Sequence, residues 1–274
     1  MSIDAHFHCW QLARGDYAWL TPAQGVIYRD VAVADWQAQS ATHGVTGGVL
    51  VQAAPTEAET LYLLRQAELH KTVLGVVGWV DMLHTDAPKR IRQLARHPKL
   101  KGLRPTLQDI EDPRWILQRE LEPALRAMVD CGLVFDALIK PMHLAHILTL
   151  ARRHPDLAMV IDHAAKPDIS AAQWQPWADG LAAIASESRA LCKLSGLMTE
   201  ASPSCAPDAV RPWGEFVLKT FGPRRVVWGS DWPVLELNGN YAQWWQTTQA
   251  LLAGLTPEER TAVLGENARR LYRL

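Results

Sequence analysis

Near its start the chain reads Ile3-Asp4-Ala5-His6-Phe7-His8-Cys9-Trp10, with three polar side chains at alternate positions. Residues two apart in an extended strand share a face. The pattern predicts Asp4, His6 and His8 on one side and Ile3, Ala5, Phe7 and Cys9 on the other. Polar groups on the face of an otherwise apolar strand must line a wet cleft, hold a metal or satisfy one another. Reactive types recur at the ends of later apolar runs: Gln52, Arg104, Asp162-His163, Lys193 with Ser195, and Ser230-Asp231-Trp232. His84 follows another run, and Lys166 lies in the loop after His163.

Imidazole and carboxylate ligands suit zinc and its neighbours, and a catalytic zinc keeps three protein ligands and one open position. His6, His8 and Asp231 supply that number. The fifth apolar run, however, ends in Leu138-Ile139-Lys140, without a His or Glu. The guanidinium of Arg104 is always charged and suits an anionic or carbonyl-bearing substrate better than a metal shell. Lys193 lies in a run that reads as buried, where an unpaired ammonium is costly. Two readings stay open for it: pairing with Asp162 or Asp231, or reaching the site.

Eight short, β-branched runs would position these groups: Ile3–Cys9, Gly47–Gln52, Val73–Val80, Leu100–Pro105, Leu133–Ile139, Ala158–His163, Leu191–Ser195 and Val226–Asp231. Helical patterns separate them. In Thr56–His70, Thr56 serves as cap, Glu57 and Glu59 sit in the first turn, and Leu61, Leu64 and Ala67 keep helical spacing. Further helices are predicted over Asp86–His97, Pro113–Asp130, His143–His154, Ala171–Arg189, Asp208–Phe221, Tyr241–Leu252 and Pro257–Tyr272. Strands apolar on both faces, alternating with helices, predict buried parallel strands. The count of eight, with no glycine-rich phosphate loop after the first strand, favours a single α/β domain, a (β/α)8 TIM barrel over residues 1–274, over an open doubly wound sheet. In such a barrel the strand ends and following loops carry the active site.

The chain has 274 residues and a net charge of -1, so nothing electrostatic favours nucleic acid or an anionic membrane. No apolar run approaches the roughly 20 residues that span a bilayer, and no basic segment precedes an apolar one near Met1. Cys9, Cys131, Cys192 and Cys205 are scattered and read as reduced thiols. A cytoplasmic protein acting on a small molecule is expected, with its oligomeric state open.

Taken together, these marks resemble the amidohydrolase superfamily, and within it the amidohydrolase-related branch that holds the sugar-lactone hydrolases of the L-fuconolactonase and L-rhamnonolactonase group. The resemblance rests on Ile3–Trp10, Arg14–Leu20, Gly102-Leu103-Arg104, Asp162-His163-Ala164-Ala165-Lys166-Pro167, Lys193-Leu194-Ser195-Gly196 and Trp228-Gly229-Ser230-Asp231-Trp232-Pro233. It implies a barrel that opens a lactone ring with water. Members of this branch can work without a metal, and the strand-five His that other amidohydrolases use is missing. The expectation is therefore that no cofactor is required, with one divalent ion, zinc first, at His6, His8 and Asp231 as the alternative.

Under that reading Asp231 is the general base, and His163, His6 and His8 donate to the carbonyl oxygen. Arg104 and Lys193 bind substrate groups, Trp10 and Trp232 stack on the sugar face, and Gln11–Arg29 forms part of a lid. Rival readings are a metal-dependent decarboxylase of the same branch, a hydrolase for a dicarboxylate lactone from aromatic degradation, and a non-catalytic barrel.

Overall fold

The computed structural model describes residues 2–202 and 207–274. Its strands are β1 (Ser2–Phe7), β2 (Val45–Val51), β3 (Val73–Gly78), β4 (Leu100–Leu103), β5 (Val134–Ala137), β6 (Met159–Ile161), β7 (Leu191–Leu194) and β8 (Val226–Trp228). They lie in one sheet in sequence order, every neighbouring pair parallel. The ends of β8 and β1 meet through a parallel bridge between Phe7 and Trp232. Hydrogen bonds of 2.8 Å from Asp231 N to His6 O and from His8 N to Trp232 O join the same edges. The expected (β/α)8 barrel is formed.

The helices are α1 (Val33–Ala41), α2 (Glu57–Leu69), α3 (Ala87–Leu94), α4 (Glu122–Cys131), α5 (Leu144–Arg153), α6 (Trp177–Glu187), α7 (Leu197–Glu200), α8 (Arg211–Phe221), α9 (Tyr241–Leu251), α10 (Pro257–Thr261) and α11 (Asn267–Tyr272). Thr56 caps α2 as its sequence implies, its hydroxyl accepting from Glu59 N at 3.0 Å. Two expected helices start late. The predicted Pro113–Asp130 opens as two 3₁₀ turns, and the α-helix begins only at Glu122, with Pro123 in its first turn. The predicted Ala171–Arg189 begins at Trp177, directly after Pro176. Proline fixes its own φ and lacks an N–H, so it sits comfortably only where a helix begins. Helix α1 was not expected at all.

Two apolar layers fill the molecule. Outside the strands, Phe7, Leu50, Val76, Leu103, Phe135, Ile161, Leu194 and Trp228 pack against the helices, with the Phe7 ring stacked on Trp36 of α1 at 3.9 Å. Inside, Ile3, Ala5, Val49, Val51, Val77, Val134, Val160 and Val227 fill the lower barrel, and Ala268 and Tyr272 of α11 join them. The expected free thiols Cys9, Cys131 and Cys192 are unpaired; Cys205 lies outside the described residues.

The barrel corrects one sequence expectation directly. Asp4 does not share a face with His6 and His8. The pairing of β1 with β2 is irregular between Asp4 and Phe7, which breaks the alternation. Asp4 turns outward, where its carboxylate accepts from the Trp36 indole at 2.9 Å and the Tyr241 hydroxyl at 3.1 Å. It also accepts from Ser230 N at 2.8 Å, so it ties β1 to β8 below the site rather than lining it.

Candidate active site

Four strand ends converge at the C-terminal mouth. His6 and His8 come from β1, Arg104 from the end of β4, His163 from beyond β6 and Asp231 from beyond β8. Asp231 Oδ1 lies 3.3 Å from His8 Nε2, 3.6 Å from His6 Nε2 and 3.8 Å from His163 Nε2. His8 Nδ1 faces the carbonyl of Val51 at 2.8 Å; a carbonyl only accepts, so Nδ1 donates to it. His163 Nδ1 is held by Ser195 Oγ at 2.9 Å. Arg104 bonds the carbonyl of Gln52 and lies 3.4 Å from Asp162 and 3.3 Å from His6 Nε2.

The backbone that presents these groups is strained. His163, Ala164, Ala165 and Lys166 are four successive non-glycine residues in the left-handed region, with φ of 51°, 50°, 61° and 50°. Each such residue costs about 1 kcal/mol, and strain of this kind gathers at functional sites. Packing enforces the turn. Ala164 and Ala165 are fully buried, the Trp177 indole donates to Ala164 O at 2.6 Å, and Lys166 N–H donates to His163 O at 2.8 Å. Gly196, itself left-handed at φ +67°, leaves room for the imidazole; a Cβ there would stand 2.5 Å from His163 Nδ1.

Burial and neighbours set the charge states. Burial, with Lys193, His163 and Arg104 nearby, holds His6 well below the ordinary imidazole range. Burial likewise lowers His163 to about 4, against the upward pull of Asp231 and Asp162. Burial pushes the Asp231 carboxyl up, but His163 and His8 outweigh it and bring it down to about 2. Near neutral pH the site therefore holds an ionised Asp231 carboxylate facing the neutral imidazoles of His6 and His163.

A cavity of about 240 Å³ opens above this cluster, lined by His8, Gln52, Arg104, His163 and Asp231 at its base, with Trp19 and Lys166 on its wall. Three sequence-predicted binding residues do not reach it. Trp10 is fully buried, its indole N–H donating to Arg29 O at 2.8 Å. Trp232 is 1% exposed, its N–H donating to Glu236 at 2.7 Å. Trp232 directly follows the inward-facing Asp231 and turns to the other side, and Trp10 lies past the end of β1, where alternation no longer places it; both rings pack behind the site. Lys193 does face inward but sits beneath the cavity, fully buried, 2.5 Å from Asp136 and 2.9 Å from Asp162. His84 is exposed and bonds Asp86 N.

The aromatic that does line the cavity is Trp19, 39% exposed, with its indole N–H donating to Ala53 O at 2.7 Å and its ring edge-on to Trp10. It belongs to the segment expected as a lid, which buried Tyr17, Leu20 and Ile27 anchor to the barrel. Lys166, in the loop after His163, is brought to the cavity by the left-handed turn.

The donor set is fit for a metal ion. His6, His163 and Asp231 each offer one atom, all within 4.8 Å of one another and all buried, and neutral imidazoles with an ionised carboxylate are ready ligands. A parallel barrel with a first-strand His-X-His facing an aspartate after the last strand is an amidohydrolase-type centre. The chain belongs to the amidohydrolase family, whose model matches residues 3–274. It is 44% identical to the L-fucono-1,5-lactonase of Burkholderia ambifaria over 278 residues, covering 99% of this chain and 95% of that protein. It is 30% identical to the L-fucono-1,5-lactonase of Burkholderia multivorans, covering 100% and 96%. The crystal structure of an amidohydrolase from Burkholderia multivorans with bound zinc is similar at a TM-score of 0.94 and 29% identity, covering 100% of this chain and 99% of that one.

The zinc in that structure, together with the cluster here, overturns the expectation that no cofactor is required. The missing strand-five His does not leave an ion short of ligands, because His163 supplies an imidazole beside His6 and Asp231.

Proposed function

We propose that this protein is a carboxylic-ester hydrolase that opens the ring of a sugar lactone, an aldono-lactone, with water. The observation that carries the reading is the ionised Asp231 carboxylate at the base of a small cavity, with His8 and His163 beside it and His6 buried behind it. The lactonase relatives support the substrate class.

In this reading Asp231 takes a proton from water as the water oxygen bonds to the lactone carbonyl carbon. Charge then develops on the carbonyl oxygen, where Arg104 and His163, which line the cavity, would meet it. The ring C–O bond breaks, and protonated Asp231 returns its proton to the departing ring oxygen. Gln52 Oε1, buried in the cavity wall and without a partner among the described residues, would accept from a sugar hydroxyl. Trp19 would stack on the sugar face. A divalent ion held by His6, His163 and Asp231, zinc first by donor type, would supply Lewis-acid polarisation when bound.

The dicarboxylate-lactone rival has fewer cations to draw on than the sequence suggested, Arg104 and Lys166 being those that line the cavity. A dicarboxylate lactone calls for several cations, yet Lys193 is taken up by two aspartates, Arg14 pairs with Asp16 at 2.6 Å and Arg29 with Glu236 at 3.3 Å. Among the described residues no helix is long and apolar enough to cross a membrane. With a net charge of -1, a cytoplasmic enzyme on a small molecule, free of nucleic acid and membrane, is the companion reading.

The test follows proton release from a panel of aldono-lactones with zinc-loaded and chelator-stripped protein. Ring opening of at least one lactone is expected. Silence on all of them, with turnover of an unrelated amide, would end the reading.

A further inference from the structure

Lys166 lines two cavities at once. One is the 240 Å³ cavity over Asp231. The other is an outer groove of about 990 Å³ that also carries Gln108, Lys140, Thr199, Glu200 and Asn238. Gln108 and Lys166 belong to both, so they form the throat between them. At that throat Lys166 Nζ stands 3.6 Å from Glu200 Oε1, both side chains about three-quarters buried at 24% and 25% exposed.

That separation exceeds the roughly 2.7–2.9 Å of a charge-assisted hydrogen bond. The pair is close enough to hold both heads in place and too far apart to satisfy either. An ammonium has three donors and a carboxylate about four acceptor sites, so both keep capacity for a ligand. The backbone points the same way. Lys166 ends the strained left-handed run that begins at His163, and Ser170 N–H fixes the Glu200 carbonyl at 3.0 Å. A solvated surface pair has no need of a strained turn to present it.

We infer that Lys166 and Glu200 form a diol-reading pair: the ammonium donates to one hydroxyl of the substrate and the carboxylate accepts from its neighbour, turning the lactone so that its carbonyl meets Asp231. Two adjacent hydroxyls offer this acceptor and donor side by side, and an unsubstituted lactone offers neither. The inference rests on the lactonase reading and narrows it to lactones with a vicinal diol on the side facing the outer groove.

The experiment compares kcat/KM for a polyhydroxylated aldono-1,5-lactone and for unsubstituted δ-valerolactone. Wild type, Lys166→Met, Lys166→Gly and Glu200→Gln are measured, with Lys166→Arg as the conservative rescue. Lys166→Gly guards against a folding artefact, since glycine adopts the left-handed conformation without strain. The expected result is a fall of at least tenfold in the ratio of the two kcat/KM values in the Met, Gly and Gln variants. KM for the hydroxylated lactone should carry most of it, and Lys166→Arg should restore part. Equal losses on both substrates would reduce the pair to a general electrostatic or structural role and overturn the inference, as would an unchanged ratio. Wild type that opens δ-valerolactone but no hydroxylated lactone also overturns it while leaving lactone hydrolysis standing. Wild type that opens neither brings down the lactonase reading itself.

Discussion

The Lys193 ammonium stands 3.1 Å from Nδ1 of His6, directly beneath the catalytic mouth. It is also clamped by Asp136 of β5 and Asp162 just past β6, and Asp136 accepts from the Tyr272 hydroxyl at 2.6 Å. The C-terminal helix that fills the barrel bottom is thus wired to the site through four buried polar groups. Breaking a buried pair by removing one partner costs about 3–5 kcal/mol, because the other charge is stranded. Lys193→Met should therefore lower stability by about that much in urea denaturation. A variant as stable as wild type would mean that the two carboxylates are not held ionised by Lys193.

Asp231 is positioned by its own left-handed backbone, φ +59°, and by N–H donation to His6 O. Asp231→Asn keeps the shape, and asparagine tolerates that backbone region. Loss of a general base typically costs about 10²–10⁴ in rate, so kcat should fall by at least about 100-fold with the melting temperature nearly unchanged. Full turnover in the variant would remove Asp231 from the chemistry.

Trp19 and Trp10 lie edge to face but have opposite exposures, and the two substitutions should separate cleanly. Trp19→Ala is expected to raise KM several-fold at nearly constant stability. Trp10→Ala should open a core cavity costing about 3–5 kcal/mol. Measured KM and urea midpoints for both variants decide it; a KM effect confined to Trp10→Ala would reverse the assignment.

Much of this site could be read from the chain because barrel strands are short, apolar and punctuated, so residues at run ends fall at one rim. His6, His8, Arg104, His163 and Asp231 were reachable on that logic. What escaped has local physical causes. A one-residue irregularity in β1 turned Asp4 to the helix layer. Helix α1 buries only Val33, Trp36 and Ser40, too thin an apolar stripe to stand out. The left-handed run at His163–Lys166 contains no glycine, the usual sign of such backbone, so Lys166 kept the look of a loop cation. Trp232 follows the inward-facing Asp231 and so points away, and Trp10 lies past the end of β1, where the strand no longer sets which way it faces.

Metal binding gives a prediction away from turnover. The hydroxyl of Ser195 holds His163 Nδ1 at 2.9 Å, the outer contact that orients a candidate ligand imidazole. Removing such contacts typically weakens metal affinity by about 10–100-fold. Zinc titration of chelator-stripped protein should find one ion per chain, bound that much more weakly in Ser195→Ala and more weakly still in His163→Ala. Equal affinities across the three proteins would place the ion elsewhere.

Glu59 supplies a pH test from behind the cavity wall. Its carboxylate is fully buried at the start of α2 and accepts from Ala54 N–H at 2.6 Å and from Ala53 N–H at 3.0 Å. Burial pushes its carboxyl from 4.5 up to about 7, although both amides pull the other way. A native carboxyl raised above its unfolded value holds its proton where the unfolded chain has lost it. The associated stability is therefore complete below about pH 4.5 and is lost as pH rises toward 7. A gap of about 2.5 units corresponds to about 3 kcal/mol at about 1.36 kcal/mol per unit. Glu59→Gln keeps an acceptor oxygen for the amides but has no proton to lose. The stability of wild type relative to this variant should thus decline by about 3 kcal/mol between pH 4.5 and pH 7.5, measured by urea denaturation at each pH. A difference that stays flat would mean that the amide donors outweigh burial and keep Glu59 ionised throughout.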